Sequence, residues 1–279
     1  MTRFERPESV AEAARLLALG DWAVLAGGTD LYPAHVGRPV AQPLLDITGI
    51  AGLRGIRRDA GGCWTLGATT TWTDVVRADL PPLFDGLKAA AREIGGAQIQ
   101  NAGTVAGNVC NASPAADGAP ALMALDAKVV LRSERGEREL AVERFVLGNR
   151  RTARTADELV VAIRVPAKSA RARSAFIKLG GRRYLTISMT MVALAVDVDE
   201  AGTVISAAAA VGSCAVVARR LPALEARLLG ARLGDRLASL VEPADLAPLR
   251  AIDDLRASAG YRSDATLTLL RRALATIAP

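Results

Sequence analysis

Two glycine-rich segments carry most of the residues that could bind a ligand. The first is AGGTD, from Ala26 to Asp30, which follows the apolar run WAVL. The second is QIQNAGTVAGNVCNASPAAD, from Gln98 to Asp117, which has no aromatic residue, no Lys or Arg, and one carboxylate. Glycine lets the backbone approach a ligand closely and adopt positive φ, so successive N–H groups can converge on an anion. Both segments therefore have the property that phosphate binding needs.

The spacing of the glycines excludes two common phosphate-binding loops. No Gly-Lys-Ser/Thr follows, as a Walker A loop requires, and neither segment fits G-x-G-x-x-G in a Rossmann unit. Hydroxyl and amide side chains at Thr29, Thr104 and Asn108 add further polar groups. Two such segments could close on one diphosphate from both sides, with charge-assisted bonds of roughly 1.5–3 kcal/mol each. The alternative is that both are ordinary tight turns.

The elements that must position these segments are mixed helices and strands. Ser9 and Glu12 predict a capped first helix that Gly20 ends, and WAVL predicts a buried strand entering the Gly-Gly turn. Later, ISMTMVALAVDV and TVISAAAAV predict two strands joined at DEAG, the first of them half-buried. A last amphipathic helix is expected, with Ser263 or Asp264 as its cap. The order indicates an α+β protein rather than a regular βαβ alternation.

Composition narrows the class of protein. The chain of 279 residues is long enough for one large or two to three small domains, and a composition shift at residues 166–174 is the best boundary. The net charge is +6, but no aromatic residues interleave with the scattered arginines, so we expect no nucleic-acid partner. No apolar run is long enough to span a membrane and no secretory signal is present, so a cytoplasmic protein is expected.

The number and spacing of the cysteines also favour a cytoplasmic protein. Cys63, Cys110 and Cys214 are far apart and form no C-x-x-C pair. This spacing argues against a structural zinc or an all-cysteine iron–sulfur cluster in this chain, and a sparse, odd count fits a reducing compartment.

Both glycine segments, in this order, resemble the FAD-binding motifs of one family. LAGGTDLYP and QIQNAGTVAGNVCNASPAADGAPALMALDAKVVL are similar to those of the flavoprotein subunits of molybdenum hydroxylases, the xanthine dehydrogenase and carbon monoxide dehydrogenase medium-subunit family. FERPESVAEAARLL, ELVVAIRVP, FIKLGGRRY and YRSDATLTLLRRAL extend the resemblance over nearly the whole chain. It implies a PCMH-type FAD-binding domain over residues 1–168, with lobes of about 1–50 and 51–168, and a smaller α+β C-terminal domain over 169–279.

The resemblance also implies which residues hold the FAD. The first segment, Ala26, Gly27, Gly28, Thr29 and Asp30 followed by Leu31, would line the pyrophosphate and a ribose, and a second set would complete the cradle: Gly103, Thr104, Val105, Ala106, Gly107 and Asn108. Asp117, in SPAAD, would bind a polar group of the cofactor, or cap the next helix, or do both.

Four residues are expected near the flavin ring: Leu159, Val160, Lys178 and Tyr184. The alternatives are a solvated lysine at a strand end and a half-buried structural tyrosine. His35, the one histidine, follows the first segment and is interpreted as a surface or second-layer residue that could also approach the flavin edge.

The sequence departs from the family pattern at two places. Relatives often have an acidic residue shortly after the paired arginines, where this chain has Thr186, so the resemblance does not extend to the local contacts around the ring. Ala106 stands where a second glycine is common, and we expect ordinary φ there, because alanine disfavours positive φ.

The function implied is electron transfer rather than substrate chemistry. Molybdopterin and [2Fe-2S] clusters are expected on partner chains only, a large and a small subunit, in a dimer of heterotrimers. Electrons would pass from the clusters through the FAD to a final acceptor, and no catalytic residue or metal ligand is expected in this chain. A stand-alone FAD oxidase is the alternative. It would need acid–base residues that a chain with one His and three Tyr supplies poorly.

Overall fold

A small parallel sheet forms the first part of the molecule, in a computed structural model that describes residues 3–234 and 236–277. Its strands are β1 (Phe4–Glu5), β2 (Ala23–Leu25) and β3 (Leu44–Asp46), in the order β1-β3-β2. Helix α1 (Val10–Leu19) crosses between β1 and β2, and its Ser9 Oγ accepts from the Glu12 N–H, as predicted. The Glu12 carboxylate accepts from the Glu8 N–H. Sheet and helix share a core with Ala13, Leu17 and Leu45.

An antiparallel sheet follows, together with a group of short helices. Its order is β4-β5-β10-β6-β7, from β4 (Ile56–Arg58), β5 (Trp64–Gly67), β6 (Lys128–Ser133), β7 (Gly136–Ala141) and β10 (Leu159–Val165). The helices are α2 (Trp72–Arg77), α3 (Asp85–Glu93), α4 (Ala97–Ala102), α5 (Val105–Asn111), α6 (Gly118–Ala124) and α7 (Val142–Phe145). A hairpin of β8 (Val146–Gly148) and β9 (Arg151–Thr152) precedes β10.

The last part is a second antiparallel sheet covered on both faces. It consists of β11 (Arg173–Gly180), β12 (Ser188–Val198), β13 (Val204–Gly212) and β14 (Arg219–Arg220), with helices α8 (Pro222–Leu228) and α9 (Ala259–Ile277). Alternate residues of β12 enter different cores: Ala193 and Ala195 pack in the core that holds α3 and α6, whereas Val192 and Leu194 pack against α8 and α9. Because both faces are covered, the prediction of a half-buried strand is wrong.

The α+β class, with an FAD-binding domain followed by a C-terminal domain, is confirmed. The turn predicted at DEAG joins β12 to β13. The cap predicted for the last helix is wrong, since α9 begins at Ala259 and its first turn is bonded by Asp253 and Ser258. A lysine–arginine–carboxylate network joins the two domains, because Asp126 after α6 accepts from both Lys168 and Arg220.

Candidate functional site

The two glycine segments lie against each other, although about seventy-five residues of chain separate them. The first leaves the end of β2, and the second runs from the end of α4 into α5. A Cβ atom added at Gly27 would lie 1.9 Å from the Ala102 carbonyl oxygen, and one at Gly103 would lie 3.3 Å from Thr29 Oγ1. Gly28 has φ of +68°. Glycine is therefore required at the contact between the segments.

The loop of the first segment presents donors that have no partner. The backbone N–H groups of residues 27–31 make no hydrogen bond to any part of the chain that the structure describes. On the opposite side, the same holds for the N–H groups of Thr104 and Ala106, while Thr104 Oγ1 accepts from the Gly107 N–H at 2.9 Å. Backbone donors rarely stay unpaired except toward water or a ligand. Converging amides of this kind bind anions.

A cleft of about 320 Å³ opens between the two segments. Ile94 and Ile99 make one part of its lining apolar, and His35, Asn111 and Arg150 make another part polar. Asn111 Nδ2 donates to Asp30 Oδ1 at 3.1 Å, which ties the far end of α5 to the first segment. From the predicted set, the cleft is lined by Ala26, Gly27, Gly28, Thr29, Asp30, Leu31, Gly103, Thr104, Gly107 and Asn108.

The residues that line the cleft fit an FAD diphosphate on two grounds. First, a Cβ at Gly27 would collide with the opposite wall, so the cleft depends on glycine there. Second, the unpaired amides supply donors for an anion, and Asp30 is the one carboxylate among the residues that line the cleft. The side-chain Oδ1 of Asn108 is also buried without a partner among residues 3–234 and 236–277. A buried polar atom without a partner is costly and calls for an explanation. Because Oδ1 accepts, a hydroxyl or N–H group of a ligand would satisfy it, whereas a phosphate oxygen would not.

Asp117 and Lys178 form a buried ion pair. Lys178 Nζ donates to Asp117 Oδ2 at 2.7 Å and to the carbonyl oxygens of Glu93 and Thr186. Ser188 Oγ donates to Asp117 Oδ1 at 2.6 Å. Burial raises the pKa of Asp117, and Lys178 and Ser188 oppose this rise. Asp117 makes no capping bond to α6, so its capping interpretation is wrong, and Lys178 is not a solvated lysine.

The remaining residues of the predicted set, two from the cradle and three from the ring contacts, lie outside the lining of the cleft. Leu159 and Val160 are buried in two cores at the start of β10, and Val105 and Ala106 are buried in the first turn of α5, where Ala106 has helical backbone. Tyr184 is 59% exposed, with the Arg183 guanidinium over its ring. Assignment of these residues, and of Asp117 and Lys178, to the FAD site stays a prediction.

Sequence reasoning missed several residues that line the cleft. Trp72, Ile94, Ile99, Cys110, Asn111 and Arg150 are among them. Asn111 and Cys110 lie within the second segment and could have been included on position alone, whereas Arg150 comes from a distant turn that no local pattern marks. Arg150 has φ of +54°, which is uncommon for a residue other than glycine.

Cys110 is a thiol rather than a nucleophilic thiolate. It is free and lines the cleft, and burial raises its pKa to about 11. At neutral pH it is therefore protonated, which disfavours covalent attachment of a cofactor through sulfur.

Comparison with known proteins identifies the class to which this fold and cleft belong. Residues 1–168 match the family described as FAD binding domain in molybdopterin dehydrogenase, and residues 175–277 match the CO dehydrogenase flavoprotein C-terminal domain. The chain belongs to this family of FAD-binding subunits of molybdenum-containing dehydrogenases, as its glycine motifs indicated, and it is an FAD-binding oxidoreductase subunit.

Two relatives and one solved structure are similar to this chain over different shares of its length. The chain is 34% identical to the carbon monoxide dehydrogenase medium chain of Hydrogenophaga pseudoflava, over 98% of this chain and 96% of that one. It is 36% identical to the nicotinate dehydrogenase FAD-subunit of Eubacterium barkeri, over 64% of this chain and 62% of the relative. A solved structure of the Hydrogenophaga pseudoflava enzyme, lacking the Mo-pyranopterin moiety, superimposes with a TM-score of 0.85 at 29% identity, covering 100% and 98% of the two chains.

The described residues include neither a membrane-spanning helix nor a metal-binding cluster. Among residues 3–234 and 236–277, no helix has the length and apolar character needed to cross a bilayer. The same residues contain no group of three or more His, Cys, Asp or Glu side chains that could hold a metal ion.

Proposed function

We propose that this chain is the electron-transfer subunit of a molybdenum-containing hydroxylase or dehydrogenase. It receives electrons from [2Fe-2S] clusters of a partner chain and delivers them, through FAD, to a final acceptor. The observation that carries the proposal is the set of unpaired backbone N–H groups of residues 27–31, in a loop that lines the same cleft as the second glycine segment.

The chain's own residues bind and orient the cofactor. The amides of the first segment are proposed to hold the diphosphate on one side and residues 104–108 on the other, because the first segment and Thr104, Gly107 and Asn108 line one cleft. Gly27 and Gly103 keep the two walls close. When bound, FAD supplies the redox chemistry. Leu159, Val160, Lys178 and Tyr184 are proposed to lie near the flavin ring, and Asp117 to bind a polar group of the cofactor. Lys178 and Asp117 also fix the position of residues 181–187, which follow β11, because they bond to Thr186 and Ser188.

The assembly and the domain division are part of the proposal. We place the FAD-binding domain at residues 1–168, with lobes of about 1–50 and 51–168, and the C-terminal domain at 169–279. The relatives include a medium chain and FAD subunits of dehydrogenases, which supports partner subunits, here proposed as a large molybdopterin-binding and a small [2Fe-2S] chain. Their arrangement as a dimer of heterotrimers is part of the proposal from the sequence alone. A cytoplasmic location remains a prediction from the sequence, consistent with three free thiols.

The decisive experiment measures flavin and partners together. The full chain is expressed with its native partner chains, purified through a tag on this chain, and analysed for flavin, iron and molybdenum. We expect one FAD per chain, released intact by mild acid because Cys110 is protonated, and we expect iron and molybdenum on the co-purifying chains. Colourless protein that binds no FAD on reconstitution would contradict the proposal, as would substrate turnover by the isolated chain.

A further inference from the structure

Arg262 of helix α9 is a buried cation that bonds to the ends of two strands of the C-terminal sheet. Its side chain and backbone together are only 2% exposed. Its Nη1 donates to the carbonyl oxygens of Met189, the second residue of β12, and of Ser213, which follows β13. The two acceptors are neighbours because β12 and β13 pair in antiparallel fashion, with Met191 opposite Gly212. One guanidinium group therefore holds the start of β12 beside the end of β13.

The charge of Arg262 is compensated by one carboxylate. Its Nη2 donates to Asp254 Oδ1 at 2.7 Å. Backbone N–H groups of Arg256 and Ala257 lower the pKa of Asp254 to about 2, and this guanidinium adds to the effect, so the pair is ionised at neutral pH.

Buried as it is, this guanidinium is an inefficient way to stabilise the fold. Its Nε has no hydrogen-bond partner within residues 3–234 and 236–277, and an unpaired buried donor costs free energy. Buried ion pairs are also weak evidence for stability, because apolar side chains of similar volume often replace them without loss. The planar fork of arginine, however, fixes several acceptors in one geometry, which lysine cannot do. The contacts of Arg262 are therefore explained by what they position.

Both carbonyl groups that Arg262 holds are linked to the turn that carries Asp117. Ser188 directly precedes the first acceptor, and its Oγ donates to Asp117 Oδ1 at 2.6 Å. The N–H of the second acceptor, Ser213, donates at 3.1 Å to the carbonyl oxygen of Pro114, shortly before Asp117 in the chain. The turn is thus bonded to both of the strand ends that the guanidinium joins.

Ser213 has a backbone conformation that needs support from its surroundings. Its φ is +62°, a region that residues other than glycine seldom adopt. Such a conformation persists where neighbouring bonds fix it. Here both backbone polar groups are bonded, the N–H to Pro114 and the carbonyl oxygen to Arg262. Removing the guanidinium therefore loosens the residue through which β13 holds the turn.

Neutral polar contacts anchor α9 one turn further along the helix. Thr266 Oγ1 lies 2.7 Å from Thr190 Oγ1, and Cys214 Sγ donates to Thr190 Oγ1 at 3.2 Å. All three side chains are buried. Thr190 and Cys214 follow the two residues whose carbonyls Arg262 binds, so α9 stays attached to both strands without the guanidinium. Substitution of Arg262 should therefore disturb the bonded carbonyls while the domain stays folded.

We propose that Arg262 is a positioning residue of the FAD site, and that it acts through the two strand ends on the turn that carries Asp117. It does not itself line the cleft. The proposal rests on the proposed function, in which Asp117 and Lys178 lie near the cofactor. Because residues 181–187 lead directly into β12, loss of the guanidinium displaces this segment together with the turn. The surroundings of the flavin change as a result.

The test compares Arg262→Lys and Arg262→Met in the full chain, expressed with its native partner chains. Amide hydrogen exchange, followed by mass spectrometry with and without FAD, reports on the turn, and a redox titration gives the midpoint potential of the bound flavin. In both variants we expect exchange at residues 113–117 and at Ser213 to be at least about tenfold faster than in the unchanged protein. We also expect the midpoint potential to shift in both.

Arg227→Met is the matched control. Arg227 belongs to α8 in the same domain and makes the same kinds of bond, to the Asp245 carboxylate at 2.9 Å and to the Leu240 carbonyl oxygen at 2.8 Å. None of the bonds it makes within the described chain reaches the Asp117 turn. This variant should lose stability but keep the unchanged protein's flavin potential and its exchange at residues 113–117.

The proposal would be overturned by Arg262 variants that keep the flavin potential of the unchanged protein, or whose exchange at residues 113–117 matches that of Arg227→Met. Arg262→Lys keeps a positive charge beside Asp254 and should recover stability relative to Arg262→Met. Recovery of the flavin potential as well would show that charge, not positioning, is what Arg262 supplies. A chain that binds no FAD would contradict the proposed function, while the exchange comparison, which needs no flavin, would still decide whether Arg262 holds the turn.

Discussion

The FAD cleft and the Asp117–Lys178 pair differ in whether their polar groups find hydrogen-bond partners within the protein. In the cleft, backbone amides of residues 27–31 have no partner in the described chain, and the walls are made of glycine and small side chains. At the pair, the ammonium group has three acceptors, and each carboxylate oxygen has a donor, from Lys178 or Ser188. The cleft therefore leaves its backbone donors without protein partners, whereas the polar groups of the Asp117–Lys178 pair are all hydrogen-bonded within the protein.

The difference shows how a binding site and a structural site can be told apart. Open donors are costly unless water or a ligand completes them, so their convergence in one cleft indicates a ligand. A closed buried pair indicates positioning, because each charge already has its partner. Lys178 and Asp117 join β11 to the start of α6, and so hold the C-terminal domain against the FAD-binding domain. The pair would shape the flavin environment by fixing this junction.

The largest effect is expected from closing the cleft at Gly27. In Gly27→Ala the new Cβ would lie 1.9 Å from the Ala102 carbonyl oxygen, so the first segment must move away from the second and its amides lose their alignment. We expect loss of FAD from the purified chain, measured by the ratio of absorbance at flavin and protein wavelengths. Gly27→Val and Gly107→Val should be at least as severe.

Gly260→Ala provides the control for this substitution. Gly260 lies in α9, and a Cβ there meets no atom within 4 Å. This variant should keep full flavin content and a Tm at or slightly above that of the unchanged protein, since alanine favours helix. Flavin content in Gly27→Ala equal to that in Gly260→Ala would show that the segments do not form the cradle.

The glycine segments were predictable because their chemistry is local. In a run such as AGGTD, the residue types themselves indicate a backbone that can adopt positive φ. The capped start of α1 at Ser9 can likewise be predicted from neighbouring residues alone. The cover on both faces of β12 was not predictable, because the Ala-rich face packs against helices from the other domain. The partner of Asp117 was hidden for the same reason: Lys178 is sixty-one residues away, and the capping pattern at α6 offered a nearer but incorrect explanation.

A smaller but substantial effect is expected from opening the buried pair. Lys178→Met leaves Asp117 buried without its counter-charge, at a site where burial already raises its pKa. Removing one partner of a buried ion pair typically costs about 3–5 kcal/mol, and we expect a loss of that order in the free energy of unfolding by urea. Adding Asp117→Asn to Lys178→Met should recover part of the loss, because the uncompensated charge is gone.

Lys128→Met is the matched control for Lys178→Met. Lys128 pairs with Glu139 at 3.3 Å, but its side chain is 52% exposed, and surface pairs contribute about 0–1 kcal/mol. If Lys178→Met proved no more destabilising than Lys128→Met, the buried pair of Asp117 and Lys178 would not stabilise the fold more than a surface pair does. Flavin content separates the roles further: a ring contact by Lys178 predicts weaker FAD binding in the double variant even where stability is recovered.

The smallest effect is expected at Glu158, where one partner is buried and the other is half-exposed. Glu158 lies just before β10 and is 4% exposed, while the Arg138 side chain is 43% exposed and donates from Nη2 at 2.8 Å. The hydrogen bond from Arg138 is the main cause that lowers the pKa of Glu158 from 4.5 to about 2. A lowered carboxyl pKa stabilises the fold above the unfolded value, and this stability is lost as pH falls from about 4.5 toward 2.

The full shift at Glu158 would correspond to about 3 kcal/mol, and solvent screening at the half-exposed Arg138 reduces it to about 1–2 kcal/mol. Glu158→Gln should therefore lower the free energy of unfolding by that amount at pH 7 and by much less at pH 3, measured by urea titration. Glu137→Gln, at an exposed position on β7, should show no such pH dependence. If Glu158→Gln lowered the free energy of unfolding by the same amount at pH 7 and at pH 3, packing rather than charge would stabilise the contact between Glu158 and Arg138.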